Sequence, residues 1–167
     1  MLVARYTLPA HRAAFLLGAG EEADDVVQEA FVKAFRHLSR FRAGEPFGPW
    51  LLRIVANETR NLTRSRRRRA ALALRLCSTE SPEGAADGPI DEVLAAERRG
   101  RLVAVVSALP DRERQVVVCR YFLDLSEAET AQVLACPLGS VKSRAWRGLN
   151  RLRGRLVPEQ QAGVSSG

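Results

Sequence analysis

A chain of 167 residues can hold one ordinary domain or two small, compact helical ones. Its 26 Lys and Arg against 19 Asp and Glu give a net charge of +7. That balance favours a polyanionic partner, most simply nucleic acid, over an acidic small molecule, although an alanine-rich, arginine-for-lysine composition also follows from codon bias alone. Three cysteines (Cys77, Cys119, Cys136) without a C-x-x-C pair, and two histidines, are too few and too scattered for a zinc site or a disulfide framework, so no metal and no cofactor is expected.

In chain order, the N-terminus MLVARYTLPAHR lacks the uninterrupted apolar core and cleavage site of a signal peptide, which points to a cytoplasmic protein. Helical periodicity then predicts helices near residues 8 to 18, 22 to 39 and 47 to 69. The second contains DDVVQEAF, within a run from Glu21 to Glu29 that carries five carboxylates and no base. On a helical wheel Val26, Val27, Ala30, Phe31, Ala34, Phe35 and Leu38 form a broad face to be buried. Asp25, Gln28, Glu29, Val32 and Arg36 share the opposite arc. Such an arc suits either a small docking surface for a basic protein or an ordinary solvated face whose acids favour the helix N-terminus.

In the third helix Trp50, Leu51, Ile54, Val55 and Leu62 form an apolar arc, with Trp50 in the core, while Arg53, Asn57, Arg60 and Arg64 line another side. From Arg53 to Arg75 eight arginines face one glutamate, Glu58, a charge that can follow a phosphate backbone with Asn57 free to read a base edge. The run RSRRRR, Arg64 to Arg69, reads either as contact or as a frayed basic end. Helical patterning stops at CSTESPEGAADGP, Cys77 to Pro89, which is too poor in large apolar residues to fold and reads as a flexible linker. Six acids and no base between Ser78 and Glu97 keep it off DNA.

Helices resume near 90 to 108, 111 to 122, 126 to 135 and 140 to 156. The longest apolar stretch, LVAVVSAL from Leu102, falls far short of the roughly 18 residues of a membrane span, so no membrane insertion is expected. Ser126 and Glu129 have the spacing of a capping box. The short helix they start, a break at PLG, and a longer helix match a helix-turn-helix. In the longer helix Val141, Ala145, Leu149, Leu152 and Leu156 form an apolar stripe. Ser143, Arg144, Arg147, Asn150, Arg151 and Arg155 lie opposite, with Lys142, Trp146 and Arg153 on the flank. Six cations without one acid suit a major groove better than a solvated surface, which would mix signs. Trp146, at the edge of the stripe, suits core or contact.

The fold class is therefore all-α: two small helical domains joined by a flexible linker, the second containing a helix-turn-helix. The boundaries are 1–72, a linker at 73–90, 91–157 and a disordered tail at 158–167.

Across roughly Leu2 to Leu156 the sequence resembles the extracytoplasmic-function (ECF) sigma factors of bacterial RNA polymerase. DDVVQEAFVKAF is similar to the family's region two helix and FRAGEPFGPWLLRIVANETRN to its promoter-melting segment. The stretch from Leu109 to Leu156 is similar to its region four. The resemblance implies an initiation factor, not an enzyme, that directs core RNA polymerase to promoter DNA and helps to melt it. It implies that Asp25, Gln28, Glu29 and Val32 dock on polymerase, that Arg53, Asn57, Arg60 and Arg64 hold the minus-ten element, and that Lys142, Ser143, Arg144, Trp146 and Arg147 meet the minus-thirty-five element. It further implies an anti-sigma factor as partner and no small-molecule substrate. Departures from the family's pattern are Pro137 in place of a capping Ser or Thr, Ala135 in place of the turn glycine, and Leu149 at an often basic position. Two rivals remain at this level. A stand-alone helix-turn-helix regulator leaves the acidic arc unexplained, and a nuclease would need carboxylates, a metal or a histidine site inside the basic surface.

Overall fold

The computed structural model describes residues 2–42, 44–74 and 90–156. Apart from residues 73, 74 and 90, the linker expected at 73–90 lies outside the described residues, as do the tail expected at 158–167 and Cys77. Every regular element among the described residues is helical: α1 (Leu2–Ala14), α2 (Ala23–Arg36), α3 (Phe47–Leu74), α4 (Ile90–Ser107), α5 (Asp111–Val117), α6 (Glu127–Leu134) and α7 (Leu138–Leu156). Short π-helical turns cover Phe15–Ala19 and Val118–Phe122, and 3-10 turns cover Gly20–Glu22 and Leu38–Arg40.

The first unit is a bundle in which α1, α2 and α3 pack on one another. Alanines 10, 13, 14, 30 and 56 are buried together with Val26, Val27, Leu52 and Val55, and the small side chains let the helices approach closely. Contrary to the periodicity, the first helix starts at Leu2 and carries Pro9 inside it, so its span is Leu2–Ala14 with the π turn beyond, not 8 to 18. The reversal into α2 uses Gly18 at φ 116° and Gly20 at φ 60°, left-handed conformations that glycine adopts without a Cβ penalty. The carbonyls freed there need donors. Arg66 on α3 supplies them, donating to the Gly18 oxygen at 2.9 Å and the Ala19 oxygen at 2.6 Å, and it also pairs with Glu22.

Helix α2 ends at Arg36 and its buried face is narrower than the wheel suggests. Ala23, Val26, Val27, Ala30 and Ala34 are buried and Phe31 is half-buried, but Phe35 is 80% exposed and Leu38, in the following 3-10 turn, 48%. Phe35 lies only about 20° from Gln28 around the helix, on the edge of the arc that no neighbour covers. Trp50 is half-buried in a ring cluster with Tyr6, Phe41 and Phe47, whose ring contacts have centroids 5.2 to 5.6 Å apart. Such tilted and edge-on pairs add to burial alone.

In the second unit α5 and α6 pack against α7, with Val116, Val117, Val133, Val141 and Leu152 buried. The capping box forms as the spacing predicts: the Glu129 backbone N–H donates to Ser126 Oγ at 3.1 Å and the Ser126 N–H to Glu129 Oε2 at 2.8 Å. After α6 the chain turns through Ala135 at φ 50°, ψ 51°, a left-handed position that suits glycine. Pro137 then starts α7 without a side-chain cap, its carbonyl accepting from the Ser140 N–H at 2.9 Å and the Val141 N–H at 3.3 Å. The helix accordingly begins at Leu138, two residues before the expected Ser140. Gly148 brings α5 and α7 together so closely that an added Cβ would lie 2.6 Å from Val117 Cγ2. Of the predicted stripe, Val141 and Leu152 are buried and Ala145 and Leu149 half-buried, whereas Leu156 is exposed.

The two units pack on each other. Helix α3 lies against α6, Arg67 pairs with Asp111 at 2.6 Å, and Arg114 donates to the Leu17 carbonyl at 3.4 Å. The buried residues of both units form one continuous cluster.

Candidate nucleic-acid interface and docking surface

On α2, Asp25, Gln28 and Glu29 are exposed and Val32 is 38% exposed, so the predicted docking arc faces solvent as a unit. Asp25 and Gln28 make no hydrogen bond or ion pair among the described residues, whereas Glu29 lies 3.4 Å from Lys33. Lys33 chiefly serves Glu58, which it meets at 2.6 Å across the α2–α3 contact. The hydrogen bond that Lys33 donates to Glu58 holds its ammonium above the ordinary range. This contact uses up the one acid of the α3 arginine face. Phe35 adds a bare ring beside the arc, and sequence reasoning missed it by assigning it to the core.

On α3, Arg53 and Arg64 are exposed while Asn57 and Arg60 are half-buried. Arg60 donates to Asn57 Oδ1 at 3.0 Å, which orients the amide and leaves its N–H groups without a partner among the described residues. The arginine run beyond them divides by role. Arg64 has no hydrogen-bond or ion-pair partner among the described residues, Arg66 braces the α1–α2 reversal, Arg67 crosses to Asp111, and Arg68 is exposed. The frayed-end reading therefore fails for Arg66 and Arg67.

On α7, Lys142, Ser143, Trp146 and Arg147 are exposed, Trp146 at 68%, which resolves the indole as a surface group. Arg144 is half-buried. The helix has no acid of its own, yet two neighbours supply them: Glu113 of α5, buried, pairs with Arg151 at 2.8 Å and Arg147 at 3.6 Å, and Glu127 of α6 lies 3.7 Å from Lys142. Lys142, Arg147 and Arg151 are thus each oriented by an acid on a neighbouring helix. Sequence separation hid these partners.

A cleft of about 450 Å³ runs between the two units. Arg60 and Arg64 line it from α3 and Arg144 from α7, so residues expected to meet two separate DNA elements face one cavity here. Among the described residues no group of His, Cys, Asp and Glu could hold a metal ion, and no helix is long and apolar enough to cross a membrane. Burial pushes the Cys119 thiol up to about 12.

Comparison with known families gives this arrangement its class. Residues 2–69 match Sigma-70 region 2 and residues 99–152 match Sigma-70, region 4. The chain is 34% identical to the ECF RNA polymerase sigma factor SigW of Bacillus subtilis (strain 168), over 84% of this chain and 79% of the relative. It is 31% identical to the ECF RNA polymerase sigma-E factor of Escherichia coli (strain K12), over 95% and 86%. Among solved structures it is similar to CnrH in complex with the cytosolic domain of CnrY, at a TM-score of 0.68 and 28% identity over 93% of this chain and 84% of that one. It also shares the fold of Bartonella quintana RpoE, solved with the anti-sigma factor NepR, at a TM-score of 0.73 and 24% identity over 94% and 97%. The chain belongs to the ECF sigma factors of RNA polymerase. It is a promoter-specific transcription initiation factor that acts with RNA polymerase.

Proposed function

We propose that the three surfaces divide the work of initiation. The α2 arc of Asp25, Gln28, Glu29 and Val32, widened by the exposed Phe35, docks on a basic surface of core polymerase. Arg53, Asn57, Arg60 and Arg64 hold the melted minus-ten strand, where an unpaired base can be read while the guanidinium groups grip phosphates. Lys142, Ser143, Arg144, Trp146 and Arg147 enter the major groove at the minus-thirty-five element, with Lys142 held by Glu127 and Arg147 by Glu113. The domains are residues 1–72 and 91–157. The protein catalyses no reaction and works in the cytoplasm.

The observation that carries this reading is the separation of sign. A solvent-exposed acidic arc on α2 lies in a strongly basic chain, apart from two cationic helices, and the acidic arc would repel DNA. Because Arg60, Arg64 and Arg144 face the same cleft, the two units must part before both DNA elements are engaged. CnrH, with a similar fold across both units, is seen with a protein bound, which supports an anti-sigma factor as the partner that keeps the units together. Co-purification with core polymerase tests the docking arc. The Asp25→Arg, Glu29→Arg double variant should fold normally and lose at least about 100-fold in affinity, since two attractive contacts become repulsive ones. Equal recovery of both proteins would refute the assignment.

A further inference from the structure

The cleft between the units holds more positive charge than the protein neutralises. Six arginines line it, Arg60, Arg64, Arg67, Arg112, Arg114 and Arg144, and the single carboxylate is Asp111. That carboxylate is already divided between Arg67 at 2.6 Å and Arg114 at 2.8 Å. Arg64, Arg112 and Arg144 make no hydrogen bond or ion pair with the described residues, and the buried Nε of Arg114 also lacks an acceptor. Guanidinium groups so gathered repel one another in a half-enclosed space, where water screens them less than on an open surface. An anion with several charged oxygens would relieve that repulsion and satisfy the free donors.

We infer that this cleft is a binding site for a compact multi-phosphate anion, which bridges the two units. Phosphate oxygens match planar guanidinium forks two at a time, and the free forks of Arg64 on α3, Arg112 on α5 and Arg144 on α7 suit several phosphates in a chain. The cavity volume lies within the range of small-molecule sites. No aromatic side chain lines it, so nothing there would stack on a base. The chemistry therefore selects the phosphate chain itself, as in inorganic tripolyphosphate, rather than a nucleobase. By mass action the anion stabilises the packed arrangement. If the DNA roles of Arg60, Arg64 and Arg144 hold, it also withholds them from promoter DNA.

Titration calorimetry of the intact protein with sodium tripolyphosphate at near-physiological salt tests the site. Binding should be saturable at one anion per chain. Arg112→Gln removes a free fork and should weaken it about tenfold, the worth of one charge-assisted hydrogen bond. Arg155→Gln, a cation on α7 away from the cleft, should change it less than about twofold. Tripolyphosphate should also slow peptide-resolved alkylation of Cys136, which lines the cleft. No saturable binding, several anions per chain, equal losses in the two variants, or unchanged Cys136 reactivity would each overturn the inference. All readouts use the free protein, so they stand or fall apart from the promoter reading.

Discussion

The arginines of α3 and those of α7 come from equally basic stretches, yet they are held in opposite ways. On α3 two of them build the fold: Arg66 ties down backbone carbonyls at the α1–α2 reversal, and Arg67 bonds to the second unit. On α7 none is spent on backbone. Arg147 and Arg151 share one buried carboxylate, Glu113, which fixes their direction while leaving both about half exposed. A run of like charge is therefore not one feature. Its members differ by what stands behind them.

The largest effect should come from breaking the α7 side of this contrast. Glu113 reaches its two arginines because Gly148 lets α5 lie almost on the α7 backbone. Gly148→Ala places a methyl 2.6 Å from Val117 Cγ2, and the forced separation should cost about 3 kcal/mol in urea unfolding. Gly154→Ala, with nothing within 4 Å, should instead gain about 0.5 kcal/mol from helix propensity. Equal effects would show that the crossing is looser than described. On the α3 side, Arg66→Gln should cost about 2 kcal/mol, because two carbonyls and Glu22 lose their donor at a partly exposed site. Arg68→Gln, two residues on and exposed, should stay within about 0.5 kcal/mol.

These partners explain what the sequence could and could not convey. The Ser126–Glu129 box, the helix-turn-helix and the exposed α2 arc all rest on residues within a few positions of one another, and each is found where local chemistry places it. Arg66 finds Gly18 and Ala19, and Arg67 finds Asp111, more than forty residues away, which no periodicity encodes. Phe35 shows the limit of a wheel: it reports angle but not how far neighbouring helices reach around the face. The true start of α1 at Leu2, with Pro9 inside the helix, escaped the periodicity for another reason. A proline inside a helix removes one hydrogen bond, and the packing of α1 on α2 and α3 outweighs that loss.

The turn between α6 and α7 offers a way to sharpen the comparison by adding stability instead of removing it. Ala135 holds φ 50°, where its Cβ is crowded against the backbone. Ala135→Gly should relieve that strain and stabilise the second unit by about 1 kcal/mol, less the extra entropy lost by glycine on folding. Thermal unfolding of the two proteins reads the sign. A loss of stability would mean that the Ala135 side chain, which lines the cleft, contributes packing that outweighs its strain.

The smallest effect separates an acid that is used from one that is free. The Ser126 backbone N–H, and then its hydroxyl contact, hold the Glu129 carboxyl below the usual carboxylate range. A folded-state value below the unfolded one means that this stabilisation is complete above the unfolded range and disappears as pH falls through the folded value. Glu129→Gln should therefore lower stability by about 0.5 kcal/mol near neutral pH and narrow its gap to the parent as the solution is acidified. Asp25→Asn makes the matching change on α2, at a carboxylate with no intramolecular partner among the described residues. It should leave stability unchanged within about 0.5 kcal/mol and weaken only the recovery of polymerase. If Asp25→Asn proved the more destabilising of the two, the carboxylate would be serving the fold of α2, and the docking role given to that arc would lose its physical basis.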